Sequence, residues 1–256
     1  MALEDNCMRL ATILLVILGF LGGCSLLPEQ IDETKDWSAQ KLYSEAKSAL
    51  GESDWEQAID LYEKLEARYP FGRYAQQALL ESAYAYYKYD EPDSAISAVD
   101  RFIKTYPRHP SLDYAYYLRG LVNFTRGDNF MDRILPRDPS ERDAGAARQA
   151  FFDFGELVKR FPESRYAKDA GLRMLFLRNN LAQYEMHVAD YYMRRGAYVA
   201  AANRAKQVIE NYQGTPAVPQ ALVVLVQAYR KLGLDDLAAD AERVLKLNYP
   251  ERAAGS

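Results

Sequence analysis

The chain has 256 residues and a formal net charge of −4 at pH 7, with 49% hydrophobic and 27% charged residues. The negative charge argues against nucleic acid as a partner, because nucleic-acid-binding domains carry an excess of basic residues. Tyrosine is frequent, with 20 residues against 10 phenylalanines. Alternating β-branched runs are nearly absent, and glycines and prolines fall between segments with helical periodicity, so the sequence predicts an all-α protein.

The N-terminus carries an apolar run over residues 10–20 that is followed by Leu21-Gly22-Gly23-Cys24. At about eleven residues the run is half of the ~20 needed to cross a bilayer, so it is typical of a signal peptide. Arg9 supplies the positive charge that precedes such a run. Small residues directly before a cysteine resemble the lipobox of bacterial lipoproteins. We therefore expect a signal peptide over 1–23 and a covalent lipid on Cys24; the alternative is a plain secretory signal.

The segment after the cysteine predicts a tether. Residues 24–36 are mainly polar and contain a proline. The eleven residues 26–36 reach at most ~40 Å, so the folded body would stay near the membrane. The other cysteine, Cys7, lies within the predicted signal peptide, which would leave no free thiol and no disulfide after processing. A translation start at Met8 would give the more usual opening of a signal peptide.

An internal repeat occupies most of the remaining chain. In four places an alanine is followed twelve residues later by a proline, and a fifth copy has Gln213 at that position. The five alanines are Ala58, Ala95, Ala150, Ala201 and Ala238. Counting back from the alanines predicts helix–helix turns at Ser53, Asp90, Gly196 and Gly233. These spacings resemble the tetratricopeptide repeat, in which small residues let helix A and helix B pack closely.

The intervals between copies predict two interruptions of the array. Successive alanines are 37 residues apart at either end, whereas the two central intervals are 55 and 51 residues. The first excess falls in 127–142, a loop rich in proline and aspartate, and the second between Tyr166 and Arg195, where we expect one long helix. We predict a solenoid of about five tetratricopeptide repeats in two sub-arrays joined by that helix. The predicted segments are repeats 1–3 over 37–164, repeats 4 and 5 over 165–250, and a tail over 251–256.

Two helix starts carry local signals. Ser53-Asp54-Trp55-Glu56 matches a capping box with Ser53 as the N-cap. Thr215-Pro216 predicts an N-cap followed by a proline in the first helical position.

The sequence gives little support to an enzyme. The two histidines, His109 and His187, are 78 residues apart, and neither adjoins a catalytic motif. No glycine-rich phosphate loop, H-E-x-x-H or G-x-S-x-G motif is present. We therefore expect no catalytic residues, no metal and no cofactor apart from the lipid on Cys24.

Tyrosine clusters at 84–89 and 114–117 fall on helices A of repeats 2 and 3. Most of these rings could simply pack between helices. Successive tyrosines cannot all face one side of a helix, however, so some should reach the concave face and suit an extended peptide. Positive charge near that groove would favour an aromatic-ended peptide with a terminal carboxylate. The candidate cations are Arg73, Lys88, Arg101 and Arg119.

Several stretches are more specific than a generic repeat. They are Arg68-Tyr69-Pro70-Phe71-Gly72-Arg73-Tyr74, Tyr84-Ala85-Tyr86-Tyr87-Lys88, Asp100-Arg101-Phe102-Ile103, Arg119-Gly120-Leu121 and the segment 196–204. Together with the lipobox they resemble the BamD family, lipoproteins of the β-barrel assembly machinery, over nearly the whole mature chain. The resemblance implies a place on the periplasmic face of the outer membrane. It also implies binding of a BamA-like barrel protein, of other barrel-assembly lipoproteins and of unfolded outer-membrane proteins.

The resemblance also implies site residues. Tyr191, Arg195 and Arg204 would contact the BamA-like protein, where the two arginines could fork onto acidic groups. Alternatively these arginines are ordinary solvated side chains. Phe71, Tyr74 and Tyr87 would line the substrate groove, although Phe71 could equally staple repeat 1 onto repeat 2. Two other functions stay open: a pilotin-like lipoprotein that assists secretin assembly, and a cell-wall enzyme or its regulator.

Overall fold

A computed structural model describes residues 32–126, 140 and 144–253. The predicted signal peptide, Cys24 and nearly all of the loop 127–142 lie outside the described residues. Residues 32–38 belong to a separate compact unit. In it, Asp32 Oδ1 accepts hydrogen bonds from the Thr34 backbone N–H at 3.0 Å and from its hydroxyl at 2.7 Å, which closes a short turn.

From residue 39 onward, the described part of the chain contains eleven α-helices and no strand. The helices are α1 (Ala39–Gly51), α2 (Trp55–Arg68), α3 (Arg73–Lys88), α4 (Pro92–Thr105), α5 (Leu112–Thr125), α6 (Ala144–Arg160), α7 (Ala167–Arg194), α8 (Tyr198–Asn211), α9 (Val218–Lys231), α10 (Asp235–Asn248) and α11 (Pro250–Ala253). None of them is both long enough and apolar enough to cross a bilayer.

The helices pair as the repeat spacing predicts. The alanines that define the repeats lie on helices α2, α4, α6, α8 and α10, and all five are fully or almost fully buried. The small residues expected on helices A, Ala46, Ala83 and Ala189, are fully buried as well. A small buried side chain lets two helix backbones approach closely, so the chain forms an all-α tetratricopeptide-repeat solenoid.

The predicted helix–helix turns are confirmed. Ser53, Asp90, Gly196 and Gly233 all have positive φ, between 64° and 73°. In each turn the next residue donates its backbone N–H to the carbonyl five residues earlier, at 2.9–3.0 Å. This is the Schellman hydrogen bond, which satisfies a carbonyl that the ending helix leaves free.

Both predictions of N-caps were wrong. The N-cap of α2 is Asp54, whose carboxylate accepts a hydrogen bond from the Gln57 backbone N–H at 3.1 Å, because Ser53 occupies the left-handed position before it. Helix α9 begins at Val218, and the Thr215 hydroxyl instead donates to the Tyr212 carbonyl at 2.8 Å.

The long helix is present as α7, with 28 residues. Its first turns contribute Ala170 and Leu177 to a core formed mainly by repeats 2 and 3. Its last turns contribute Ala182, Met186 and Ala189 to a second core, formed with α8–α10. One helix therefore supplies side chains to both cores, whereas the segments drawn from the sequence assigned it wholly to the C-terminal repeats. The division into domains stays a prediction.

Candidate protein-binding surfaces

An aromatic surface crosses α3, α5 and the start of α7. It consists of Tyr84, Tyr87, Tyr114, Tyr117 and Tyr166. The rings of Tyr117 and Tyr166 stack with centroids 4.7 Å apart, and Tyr114 lies 5.5 Å from Tyr166. Tyr84 and Tyr87 are 6.4 Å apart on α3. All five rings are partly buried against the first core, so each packs within the fold and keeps some exposure to solvent.

Carboxylates bind the hydroxyls of several tyrosines in these repeats. The Tyr117 hydroxyl donates to Asp169 at 2.7 Å, and the hydroxyls of Tyr43 and Tyr62 both donate to Glu81. Burial, aided by the Glu81 carboxylate, raises the pKa of Tyr43 to about 12. Burial likewise raises the pKa of Tyr62 well above its usual range. These hydroxyls therefore stay protonated, and their protons are already donated within the chain.

Two of the four cations expected near the groove are neutralised. Arg101 forms an ion pair with Glu66 at 2.7 Å, and Arg119 pairs with Asp100 and Asp153 at 3.1 and 3.0 Å. The Arg101 side chain is nevertheless 60% exposed, whereas that of Arg119 is 17% exposed, so their contribution of positive charge near the groove stays a prediction. Two cations remain: Arg73 stacks on the Tyr74 ring and Lys88 lies over the Trp55 ring, and neither forms an ion pair with a residue that the structure describes.

The three predicted groove residues do not converge on one groove. Phe71, in the loop between α2 and α3, is 89% exposed, so it does not staple the two repeats together. Tyr74 packs on Tyr43 with ring centroids 5.3 Å apart. Tyr87 belongs to the aromatic surface, and on an ideal helix it lies about 140° around α3 from Tyr74. Their roles in substrate binding stay predictions.

The predicted partner-binding residues lie where α7 ends and α8 begins. Tyr191 and Arg195 are one turn apart, on the same face at the end of α7, and both are exposed. The Tyr191 ring meets Tyr192 edge-on, with centroids 5.7 Å apart. Arg195 forms no ion pair with any residue in the described part of the chain. Tyr191 and Arg195 are therefore available to a partner.

Arg204, on α8, is held by a buried carboxylate. Its Nη1 donates to Glu185 Oε2 at 2.8 Å, and Glu185 is fully buried on α7. The other oxygen, Oε1, accepts from Arg148 Nη2 of α6 at 3.1 Å and from Gln207 Nε2 at 3.4 Å. We call these four residues the Glu185 cluster. The hydrogen bond to Glu185 also holds the pKa of Arg204 above its usual range. Because its guanidinium is bound to a buried carboxylate at 2.8 Å, Arg204 is not an ordinary solvated arginine.

Sequence reasoning missed Glu185 and Arg148. A signal was present for Glu185, which falls three residues after Ala182 and four before Ala189, on the apolar stripe of α7. A carboxylate on such a stripe needs a cationic partner, because an unpaired buried charge is very costly. Nothing in the spacing points to Arg148, which lies 37 residues earlier, on another helix.

Residues 35–245 match the YfiO family, described as outer membrane lipoprotein. The chain belongs to this family. Relatives named outer membrane protein assembly factor BamD come from Neisseria meningitidis, with 51% identity over 85% of this chain and 82% of the relative, and from Xylella fastidiosa, with 44% identity over 83% and 72%. The relative from Vibrio cholerae is 39% identical over 91% of this chain and 96% of its own length. These matches confirm the resemblance to BamD.

The same relatives bear on chemistry. They are named as assembly factors and not as enzymes, in agreement with the prediction that this chain is not an enzyme. Within the described ranges, no three His, Cys, Asp or Glu side chains come together as a candidate metal site.

Proposed function

We propose that the chain is a lipid-anchored adaptor of the outer-membrane β-barrel assembly machinery. It binds the periplasmic domains of a BamA-like barrel protein and unfolded outer-membrane proteins, and so promotes their folding and insertion. Family membership and the names of the relatives support this role. The observation that carries it is the Glu185 cluster, which holds Arg204 as a partly exposed cation on α8, while Tyr191 and Arg195 are exposed at the end of α7.

The proposed partner surface combines aromatic and guanidinium groups. Tyr191 offers an exposed ring, and Arg195 and Arg204 offer planar donors that match carboxylates. Tyrosine and arginine are among the residues that most often dominate the energy of protein interfaces. An acidic surface on the periplasmic domains of the barrel protein would fit this arrangement.

The proposed substrate-binding region lies in the N-terminal repeats. Phe71 is almost fully exposed, and a large apolar side chain at a loop tip is available to anchor an unfolded chain. Further rings are offered by Tyr74 and by the aromatic surface, which includes Tyr87. Arg73 and Lys88 remain as cations for a terminal carboxylate. Aromatic rings suit extended peptides, because they bind side chains of many kinds.

The proposed anchor is a lipid on Cys24. It would hold the folded repeats on the periplasmic face of the outer membrane, within the reach of the 24–36 tether, where other barrel-assembly lipoproteins could join them. Several acyl chains on one cysteine give a lasting anchor, since each buried CH₂ contributes roughly 0.8 kcal/mol.

A pull-down from outer membranes in mild detergent tests the role. Tagged wild type should recover the BamA-like protein, whereas Arg204→Glu should recover at least tenfold less at physiological salt, because it puts a negative charge on the partner surface. Arg101→Glu is the matched control, a charge reversal at another exposed arginine paired with a carboxylate. Cys24→Ala tests whether recovery needs the lipid. Equal recovery by Arg204→Glu and wild type, or recovery of a secretin, would contradict the proposal.

A further inference from the structure

The long helix carries an exposed apolar patch. Leu172, Leu175 and Phe176 of α7 are 61%, 54% and 45% exposed. Because they are three and four residues apart, they are neighbours on one face of the helix. Single exposed apolar side chains are ordinary in folded proteins, whereas adjoining large ones are typical of a docking surface. We call these three residues the α7 patch.

The loop 127–142 leaves the described fold beside this patch. Phe124, the last residue but one of α5, packs on Phe176 with ring centroids 5.9 Å apart. Arg173 of α7 lies over the Phe124 ring, with its guanidinium carbon 4.8 Å from the centroid. The end of α5 is therefore fixed against the α7 patch, and the chain enters the loop only three residues later.

The loop also returns to the same face of α7. Ser140, the one residue of the loop that the structure describes, is buried, and its Oγ lies 3.5 Å from His187 Nδ1. His187 follows Phe176 by eleven residues, which is about three turns of an ideal helix. The contacts on either side of the loop therefore lie on one side of the long helix.

The chain between these two contacts is longer than the gap that it crosses. Eleven residues of helix rise about 16 Å, whereas the sixteen residues from Phe124 to Ser140 can extend to about 55 Å. The surplus is enough to reach the α7 patch, which begins one turn before Phe176. The loop also contains four large apolar residues, which are Phe130, Met131, Ile134 and Leu135.

We propose that the α7 patch is the docking surface of this chain's own loop, whose four large apolar side chains cover it. The inference goes beyond the proposed function, since it involves neither the barrel partner nor the substrate. A segment that is attached on both sides of a surface has a high effective concentration there, so it outcompetes a second copy or a free peptide. Docking ties the loop of repeat 3 to the helix that supplies both cores.

Disulfide trapping tests the contact directly. Phe130→Cys and Leu175→Cys are introduced together into the full-length protein, which is purified from membranes in detergent. Mild oxidation should give an intramolecular disulfide, because the two Cβ atoms come close when the loop is docked. The matched control pairs Phe130→Cys with Leu247→Cys, an exposed position on α10, and should form its disulfide about tenfold more slowly. Non-reducing gels measure both rates.

Trypsin cleavage gives a second measurement that needs no cysteine. Arg133 lies between the two apolar pairs of the loop, so docking should protect the bond that follows it. Leu175→Ser and Phe130→Ser should each raise the rate of cleavage at Arg133 by about tenfold. The two substitutions together should raise it no further, because each removes the same contact. Leu247→Ser is the control and should leave the rate unchanged.

Three results would overturn the inference. Equal rates of disulfide formation by the two cysteine pairs, or unchanged cleavage of Leu175→Ser, would show that the loop does not cover the patch. A disulfide-linked dimer that Leu175→Cys forms alone, as fast as the intramolecular bond, would assign the patch to a second copy. None of these results affects the pull-down with Arg204→Glu, so the proposed function is tested separately.

Discussion

The regions around Asp153 and Glu185 each contain a fully buried carboxylate, but the partners that stabilise the two charges differ. Asp153, between α5 and α6, accepts hydrogen bonds from Asn123 at 2.8 Å and Gln149 at 3.1 Å, and its arginine turns inward. Glu185, on the long helix, is bound by two arginines and a glutamine whose outer atoms reach the surface. The Asp153 carboxylate is therefore paired with a mostly buried arginine, whereas the Glu185 carboxylate is paired with two partly exposed arginines.

This difference shows that burial of a charge does not by itself identify a functional site. Burial raises the pKa of the Asp153 carboxyl above its usual range, even though Arg119 acts in the opposite direction. The exposure of the partner side chains separates the two cases, because only an accessible cation can contact another molecule. The two regions should therefore respond differently to the same substitution.

The largest contrast is expected from truncating each carboxylate. Asp153→Ala should lower the free energy of unfolding by about 3–5 kcal/mol, because it strands Arg119 in a mostly buried position. Glu185→Ala should cost only about 1–2 kcal/mol, since Arg148 and Arg204 can turn to water. Urea unfolding followed by far-UV circular dichroism measures both values. Equal losses would show that the two carboxylates are equivalent and would remove the contrast.

The second-largest effect is expected from adding a methyl group near Asp153, where α5 and α6 pack closely. At Gly120 on α5, a Cβ would lie 2.5 Å from the Phe154 ring, so Gly120→Ala should cost about 2 kcal/mol through overpacking. Gly171→Ala is the matched control within α7, where a Cβ would meet nothing within 4 Å. That variant should gain about 0.5–1 kcal/mol, because alanine favours the helix. A neutral Gly120→Ala would contradict the close approach of α5 and α6.

Alkaline pH should weaken the N-terminal repeats by a smaller amount. Burial raises the pKa values of Tyr43, Tyr62, Tyr86 and Tyr114 in the folded state. The stability that these groups contribute is therefore fully present well below pH 10, which is the pKa in the unfolded chain. It begins to fall as the pH approaches 10 and is lost progressively as the pH rises to the folded pKa values. After allowance for solvent screening at the exposed rings, we expect a loss of about 1 kcal/mol between pH 9 and 10.

Urea unfolding at the two pH values, with tyrosinate absorbance at 295 nm, measures this loss. Tyr62→Phe is the control, because it removes one buried hydroxyl that donates to Glu81 and should flatten the dependence on pH. Equal free energies of unfolding at pH 9 and pH 10 would contradict the prediction.

Local and periodic features were readable from the sequence. The alanine spacing gave the five repeats, and counting back placed Ser53, Asp90, Gly196 and Gly233 at turns where the structure shows positive φ. These features repeat at fixed separations because each helix pair must bury the same apolar stripe. They can therefore be recognised in the sequence without knowing how the helices pack. The extra length between Tyr166 and Arg195 predicted the long helix for the same reason.

The helix N-caps could not be predicted from the local sequence alone. Ser53 and Asp54 are both good N-caps, and the sequence cannot decide between them without the turn geometry. The turn places Ser53 in the left-handed position and leaves Asp54 to cap α2. The sequence also could not show that Thr215 is not an N-cap. Its hydroxyl donates to the Tyr212 carbonyl in a tight turn that precedes the first residue of α9.

The sequence by itself determined the all-α repeat architecture, the long helix and the family, because these depend on periodicity and on motifs that are contiguous in the chain. Only the tertiary structure decided which carboxylate each arginine pairs with. Arg101 pairs with Glu66 and Arg119 with Asp100 and Asp153, while Arg148 and Arg204 share Glu185. Ion pairs join residues 19 to 37 positions apart on different helices, and their geometry depends on how those helices pack, which no local pattern records.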